Sequence, residues 1–465
     1  MTQTMNSDFR ALRSAMGGPV FAPADAGYDH ARSIWNGAID RRPAVIAQCL
    51  SPEDVAAALT FARDHDLEVS VRGGAHAYSG TAVCDGGIMI NLGVMNSVTV
   101  DPATNSARVG GGATMADMDA ATQAFGLAVP GGVISDTGVG GLTLGGGMGW
   151  LTRVAGLSID NLISARVVLA DSRIVRASDS ENSDLFWALR GGGGNFGVVT
   201  EFEYRTHRIG PEVHVGIFFW PLTDGPAALR LIREFIPTMP PRSGVLVGVG
   251  LSAPPEPFVP DQYHFVPGHA LITAGYGTAE EHAEMVAPIR DALTPLFEFI
   301  TPMPFTGLQS MLDAALPWGI HGYEKALDLD DFSDEVIAVL AERAGQKTSP
   351  LSFMPIFALD GAFTAVGEED TAFGGARSAH YVCNIEAAAP DDEILAVDRA
   401  WVRSTWEALC PFAANQGGYV NFMAEAGEDR VRASYGPAKY AKLADIKTEY
   451  DPGNVFHRNA NITPG

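Results

Sequence analysis

Arg72, Gly73, Gly74 and His76 stand together in the run Val71-Arg72-Gly73-Gly74-Ala75-His76-Ala77-Tyr78-Ser79-Gly80. Adjacent glycines let bare backbone approach a ligand and point N–H groups at an anion. Arg72 adds positive charge, and His76 brings a ring to whatever is bound. The same run also reads as a tight turn carrying an incidental histidine, because a glycine turn is a weak motif. Two further clusters bear on the choice. Nine glycines fall between 131 and 149, and five more lie in Gly191-Gly192-Gly193-Gly194-Asn195-Phe196-Gly197. Linkers are polar and Ser-rich, whereas the first cluster is interleaved with Val133, Ile134, Val139, Leu142, Leu144 and Trp150. It reads as a packed loop against a ligand, and its glycine density argues against a helix or an ordinary strand. Three such loops supply the several backbone N–H groups that a pyrophosphate needs.

The elements that carry these loops follow from pattern. Residues 44–47 and 67–71 read as strands, and 51–65 as a helix with Ser51 as cap and Pro52 at its first position. The second strand runs into the Arg72 loop. Strands follow at 87–92, 97–100, 107–110 and 198–204, with helices at 114–125 and 185–190. From 213 to 416 strands alternate with long helices, which predicts an antiparallel sheet backed by helices. The strands expected there are 213–220, 244–251, 269–276, 352–359 and 380–385. The expected organisation is 1–208, 209–416 and a motif-rich tail, 417–465.

Familiar alternatives fail on their spacing. Gly145-Gly146-Gly147-Met148-Gly149 does not follow a strand as a dinucleotide fingerprint does, and there is no G-x-x-x-x-G-K-[ST], G-x-S-x-G or H-E-x-x-H. Glu368-Glu369 reads as a solvated pair. No His/Cys spacing suits a metal, so none is expected. The 465 residues carry 55 acids against 31 bases, a formal charge of −24; such a surface repels phosphate backbones, so neither nucleic acid nor an anionic membrane is an expected partner. Cys49, Cys84, Cys383 and Cys410 are scattered. With no signal-like start in the first ten residues and no long apolar run, a cytoplasmic protein is expected.

Taken in order, the Arg72–His76 loop, Thr137-Gly138-Val139-Gly140-Gly141 with Gly145-Gly146-Gly147, the 191–199 run, Tyr419-x-Asn421 and Tyr450-Asp451-Pro452-x-Asn454-x-Phe456 resemble FAD-linked oxidases of the berberine-bridge-enzyme type, within the vanillyl-alcohol-oxidase (PCMH-type) flavoprotein fold. The resemblance runs from about residue 40 to the end. It implies an α+β fold: a two-piece FAD-binding domain (1–208, core about 40–208), an inserted antiparallel sheet-and-helix substrate domain (209–416), and a C-terminal segment (417–465) completing the first. It implies FAD bonded through its 8α-methyl to His76, with Arg72, Gly73, Gly74 and Ser79 at the pyrophosphate. Gly138, Gly141, Asn161 and Ile163 would line the cofactor, Gly197 and Val199 would give close backbone contacts, and Asn421 would face the flavin ring.

Three departures shape the expected chemistry. The position of a second, cysteinyl flavin linkage is Ile134, so His76 is the only expected tether. The tyrosine base that ends the tail motif in many members is Phe422, and Met148 replaces a helper tyrosine. Tyr419, placed beside Asn421 on an expected strand, and His380 remain candidates for proton transfer, with His321, Tyr323, Asp360, Tyr381, Asn384 and Glu386 as further candidates from the substrate sheet. Strand alternation puts His380, Val382 and Asn384 on one face and Tyr381, Cys383 and Ile385 on the other. Thr137 matches the position that governs oxygen access. The resemblance thus implies an oxidase that takes hydride from its substrate and returns electrons to O2 as H2O2, and the Phe, Trp and Met of the expected substrate domain point to a small hydroxylated or aromatic, secondary-metabolite-like substrate. Two alternatives stay open: an oxygenase working through a flavin–oxygen adduct (N5-oxide-like), aided by Thr137, and a non-catalytic flavin- or metabolite-binding protein.

Overall fold

The structure, a computed structural model, describes the backbone from residue 2 to 465 and side chains from Phe9 onward; the reading of residues 1–8 as free of a signal falls outside the described side chains. Three large sheets organise the α+β fold, beside a two-stranded pair, Leu127–Ala128 with His207–Arg208. The first has the order Val20–Phe21, Val45–Gln48, Ile88–Asn91, Val69–Arg72, with the last three parallel. Parallel strands need a crossover, supplied by the helix Pro52–Asp64. Ser51 starts that helix by accepting the Asp54 N–H at 3.3 Å. Its apolar side, including Val55, Leu59 and Phe61, packs with Phe9 and Leu12 of the helix Thr2–Ala15.

The second sheet is five antiparallel strands in the order Val98–Asp101, Ser106–Gly110, Val198–Arg205, Leu162–Val168, Ile174–Ser178. The helix Met115–Gln123 enters under a capping box in which Thr114 and Asp117 satisfy each other's backbone N–H. Contrary to expectation, part of the glycine-dense stretch is helical, at Val139–Gly145. The glycines there answer to close packing: a Cβ on Gly138 would lie 2.4 Å from the Gly74 nitrogen.

The third sheet has seven antiparallel strands, in the order Phe297–Pro304, Glu212–Pro221, Pro267–Gly275, Ser243–Ser252, Met354–Leu359, His380–Ala389, His321–Leu329. Cys383 and Ile385 pack among the residues of the helices Gly225–Phe235, Asp334–Arg343 and Asp392–Leu409. Val382, on the opposite face, packs with Met148, Trp150 and Tyr419. That settles which face of His380–Ala389 looks toward the glycine loops. The final helix, Glu428–Tyr450, bends at Gly436 (φ 70°) before Pro437 and packs against Ser183–Leu189 in the core of the second sheet. No helix among the described residues is long and apolar enough to cross a membrane.

Asp119 is a liability inside this frame. It is buried on the helix Met115–Gln123, and neither carboxylate oxygen has a hydrogen-bond partner among the described residues. Burial pushes its pKa well above the ordinary value. A carboxyl whose folded pKa exceeds its unfolded one costs nothing at low pH and lowers stability as pH rises from the unfolded toward the folded pKa. Asp119→Asn is therefore expected to raise the melting temperature, by about 1–3 kcal/mol of stability at pH 7–8. Thermal unfolding at pH 4 and pH 8 checks it, and the gain should shrink at the lower pH.

Candidate active site

The three glycine loops and the inner face of the third sheet enclose one cavity of about 550 Å³. The strand Val69–Arg72 delivers the first loop, in which Ala75 takes a positive φ of 57° immediately before His76. Gly73, Gly74, His76 and Ser79 line the cavity. Opposite them stand Thr137, Gly138 and Gly141, then Gly197, Val199 and Asn421. Gly74 and Gly138 touch back to back: a Cβ on Gly74 would sit 2.3 Å from the Gly138 Cα. A Cβ on Gly141 would meet no protein atom within 4 Å, so its Cα faces open space. Ile134, Met148 and Phe422 line the cavity at the three departures described above.

Other expected residues do not reach it. Arg72 donates to Asn91 Oδ1 at 3.2 Å and leaves its Nε buried and unpartnered. Asn161 donates to the carbonyls of Ala155 and Leu157 and contacts His207 Nε2 at 2.6 Å. Ile163 lies on the strand Leu162–Val168, outside the lining. The expected strand at Tyr419 is instead a short 3₁₀ turn, Val420–Phe422. The buried Tyr419 hydroxyl accepts from the Gly147 N–H and from Asn421 Nδ2, both at 2.8 Å, and burial pushes its pKa up to about 12. It holds its proton and stands behind Asn421. His380 contacts the Ser378 carbonyl through Nδ1 and lies edge-on to Phe363, away from the cavity.

The sheet end of the cavity carries an acid cluster. Glu324 and Glu386 are cross-strand partners, and both line the cavity. Between them Asn384 Nδ2 donates to Glu324 Oε2 at 2.9 Å and to Glu386 Oε1 at 2.6 Å. Directly opposed like charges repel, and burial disfavours ionisation. Burial and the neighbouring Glu386 push Glu324 well above the carboxylate range. Burial raises Glu386 to about 7, with hydrogen bonding from Asn384 and Tyr78 restraining the rise. Although Tyr78 and Glu386 bias each other's titration, neither the Tyr78 hydroxyl nor Glu386 Oε2 has a well-formed hydrogen bond. Both atoms are buried and lie close to each other at this end of the cavity. Of the sheet candidates, Glu386 alone lines the cavity, with Asn384 holding it. Tyr323 and Tyr381 pack with the helix side, Asp360 pairs with Arg153 at 2.8 Å, and His321 contacts Asp392 at 2.7 Å.

The tail closes the far end. Lys447 is fully buried and donates to Asp451 Oδ2 at 2.6 Å and to the carbonyls of Asn195 and Phe456. Asp451 also accepts the N–H groups of Val455 and Phe456. The Tyr450-Asp451-Pro452 motif thereby folds the loop that sets Phe456, Arg458 and Asn459 against the cavity. Lys447→Met would strand a buried carboxylate and is expected to cost about 3–5 kcal/mol, read by chemical denaturation.

Residues 43–178 match the model of an FAD binding domain, and residues 418–463 match that of the berberine and berberine-like family. The chain is 31% identical to (R)-6-hydroxynicotine oxidase of Paenarthrobacter nicotinovorans, over 96% of this chain and 97% of the relative. The chain belongs to the berberine-bridge-enzyme-like family of FAD-linked oxidoreductases. Solved structures of this family superpose along the whole length. 6-Hydroxy-D-nicotine oxidase of Arthrobacter nicotinovorans does so with a TM-score of 0.83 at 28% identity, covering 97% of this chain and 98% of that one. Glucooligosaccharide oxidase of Acremonium strictum, described with a 6-S-cysteinyl, 8α-N1-histidyl FAD, gives 0.81 at 26% identity, covering 99% of each. The berberine-bridge-enzyme-like chain is thus an FAD-linked oxidoreductase, against the alternative of a non-catalytic binding protein. Its site fits the cofactor. Glycine backbone opens onto the cavity at Gly141 and Gly194, His76 lines it, and Arg458 and Asn459 bring to it the buried atoms Nε and Oδ1, which have no hydrogen-bond partner among the described residues.

Proposed function

We propose that the protein oxidises a small hydroxylated or aromatic molecule, with FAD tethered through His76 alone and dioxygen as the final acceptor. Bound FAD would supply the two-electron acceptor and return those electrons to O2 as H2O2. Residues 73–79 and 138–141 would hold the pyrophosphate and adenosine side, and Asn421 the ring. Residues 1–208 with 417–465 would form the flavin part, and 209–416 the substrate part. The observation that carries the catalytic assignment is Glu386: a buried carboxyl at the cavity wall with a pKa of about 7, fixed by Asn384. A base poised near neutral pH suits proton abstraction from a hydroxyl or amine. Glu324 is also raised, by burial and by Glu386, which favours its protonated form and a singly charged pair. Tyr78 would donate to the substrate atom that Glu386 deprotonates. Leu246, Phe353 and Phe357 give this end apolar walls that exclude water. With Ile134 in the cysteine position, no second tether is at hand. The free thiols suit a reducing, cytoplasmic setting.

Anaerobic mixing with a panel of hydroxylated aromatics and cyclic amines tests this. Flavin bleaching by a substrate, followed by stoichiometric H2O2 on admitting air, is expected. A second reading keeps one observation: the Thr137 hydroxyl, at the cavity wall, makes no hydrogen bond among the described residues. Oxygen incorporation into product without peroxide would favour the oxygenase.

A further inference from the structure

Beside His76 lies a carboxylate from the second glycine loop. Asp136 Oδ1 is 3.1 Å from His76 Nε2. The two are not aligned as a regular hydrogen bond, and neither atom has another partner among the described residues, although both are buried. His76 Nδ1 makes no hydrogen bond among the described residues. The ring's plane is set on its other side by Trp35, stacked at 4.7 Å between centroids and 23° between planes. Trp35 is itself fixed by its indole N–H on the Leu316 carbonyl at 2.9 Å. The Gly74–Gly138 contact locks the two loops together, so the His76–Asp136 approach is built into the cradle.

A neutral imidazole carries one proton on two nitrogens. A carboxylate at Nε2 places the proton there and leaves the lone pair on Nδ1, the orienting logic by which an acid sets a histidine's tautomer. We infer that Asp136 is the positioning residue for covalent flavin attachment, holding His76 with Nδ1 as the nucleophile and accepting the Nε2 proton as the bond forms. This rests on the tether proposed above and adds how this chain makes it. In the step, His76 Nδ1 bonds to the 8α carbon while one C–H bond of that methyl breaks. The methyl proton leaves to water, and the Nε2 proton passes to Asp136 and then to solvent. The two electrons released pass through the ring to dioxygen, so the two hydrogens lost appear as H2O2.

The test uses the full chain produced in riboflavin-starved cells and then given FAD. Samples are precipitated in acid at intervals; pellet fluorescence measures attached flavin, and the supernatant measures flavin that was bound without attachment. Asp136→Asn is expected to slow attachment at least tenfold while still binding one FAD, with Asp136→Glu recovering part of the rate. Asp136→Thr, which keeps a small polar side chain, guards against a folding defect peculiar to one variant and is expected to be slow as well. Attachment at the wild-type rate in FAD-binding Asn and Thr variants would overturn the role of Asp136 and leave the tether standing. Wild-type protein that releases all its flavin into acid would overturn the tether and the inference with it.

Discussion

Glu386→Gln is expected to lower substrate-dependent flavin reduction about 10³-fold, with the absorbance of bound flavin unchanged. The amide keeps the shape and the contact with Asn384 but cannot take a proton. In wild-type protein the base form of Glu386 grows as pH rises through about 7, so the reduction rate should rise through the same range and level off above it. The variant should lose that step. Glu324→Gln separates the partners. Burial and repulsion favour the protonated form of Glu324, so an amide there mimics that form, and the pH profile should move little. Stopped-flow reduction under nitrogen, from pH 5.5 to 9, reads all three proteins. A Glu386→Gln rate within tenfold of wild type would remove Glu386 as the base.

Gly74→Ala is expected to yield protein without FAD. The added Cβ would lie 2.3 Å from both the Cα and the nitrogen of Gly138. Those are backbone atoms, which cannot rotate aside as a side chain end would. The two loops must part, and the cradle they form opens. Gly86→Ala is a fair contrast: its Cβ would meet nothing within 4 Å, so only its positive φ of 68° is strained. Absorbance ratios of the purified proteins decide the matter. Full flavin content in Gly74→Ala would mean that the contact does not shape the site.

Legibility from sequence followed the physics of each stretch. Glycine loops were legible because close packing leaves no room for a Cβ, and that demand is written in residue type at Gly74 and Gly138. Strands with clean apolar runs, such as Ser243–Ser252 and Pro267–Gly275, were legible too. Two were not. His321–Leu329 buries Glu324 and Asp328 among apolar positions, so its alternation is broken by buried acids. Phe297–Pro304 is an edge strand with two prolines, which a strand pattern excludes. Without the first of these strands, Glu324 had no place, and Glu386 stood as one candidate among several. Tyr419 misled because its alternation with Asn421 implies a strand, whereas a 3₁₀ turn folds its hydroxyl back onto the Gly147 N–H. Asp136 carried no signal of its own. Its role depends on a contact between loops 60 residues apart along the chain.

The most direct measurement is peptide mapping of acid-denatured wild-type protein by mass spectrometry. The flavin mass is expected on the single peptide that contains His76, with the peptides carrying Ile134 and the four cysteines unmodified. A colourless pellet, or flavin found on any other residue, would contradict the tethered-flavin site described here.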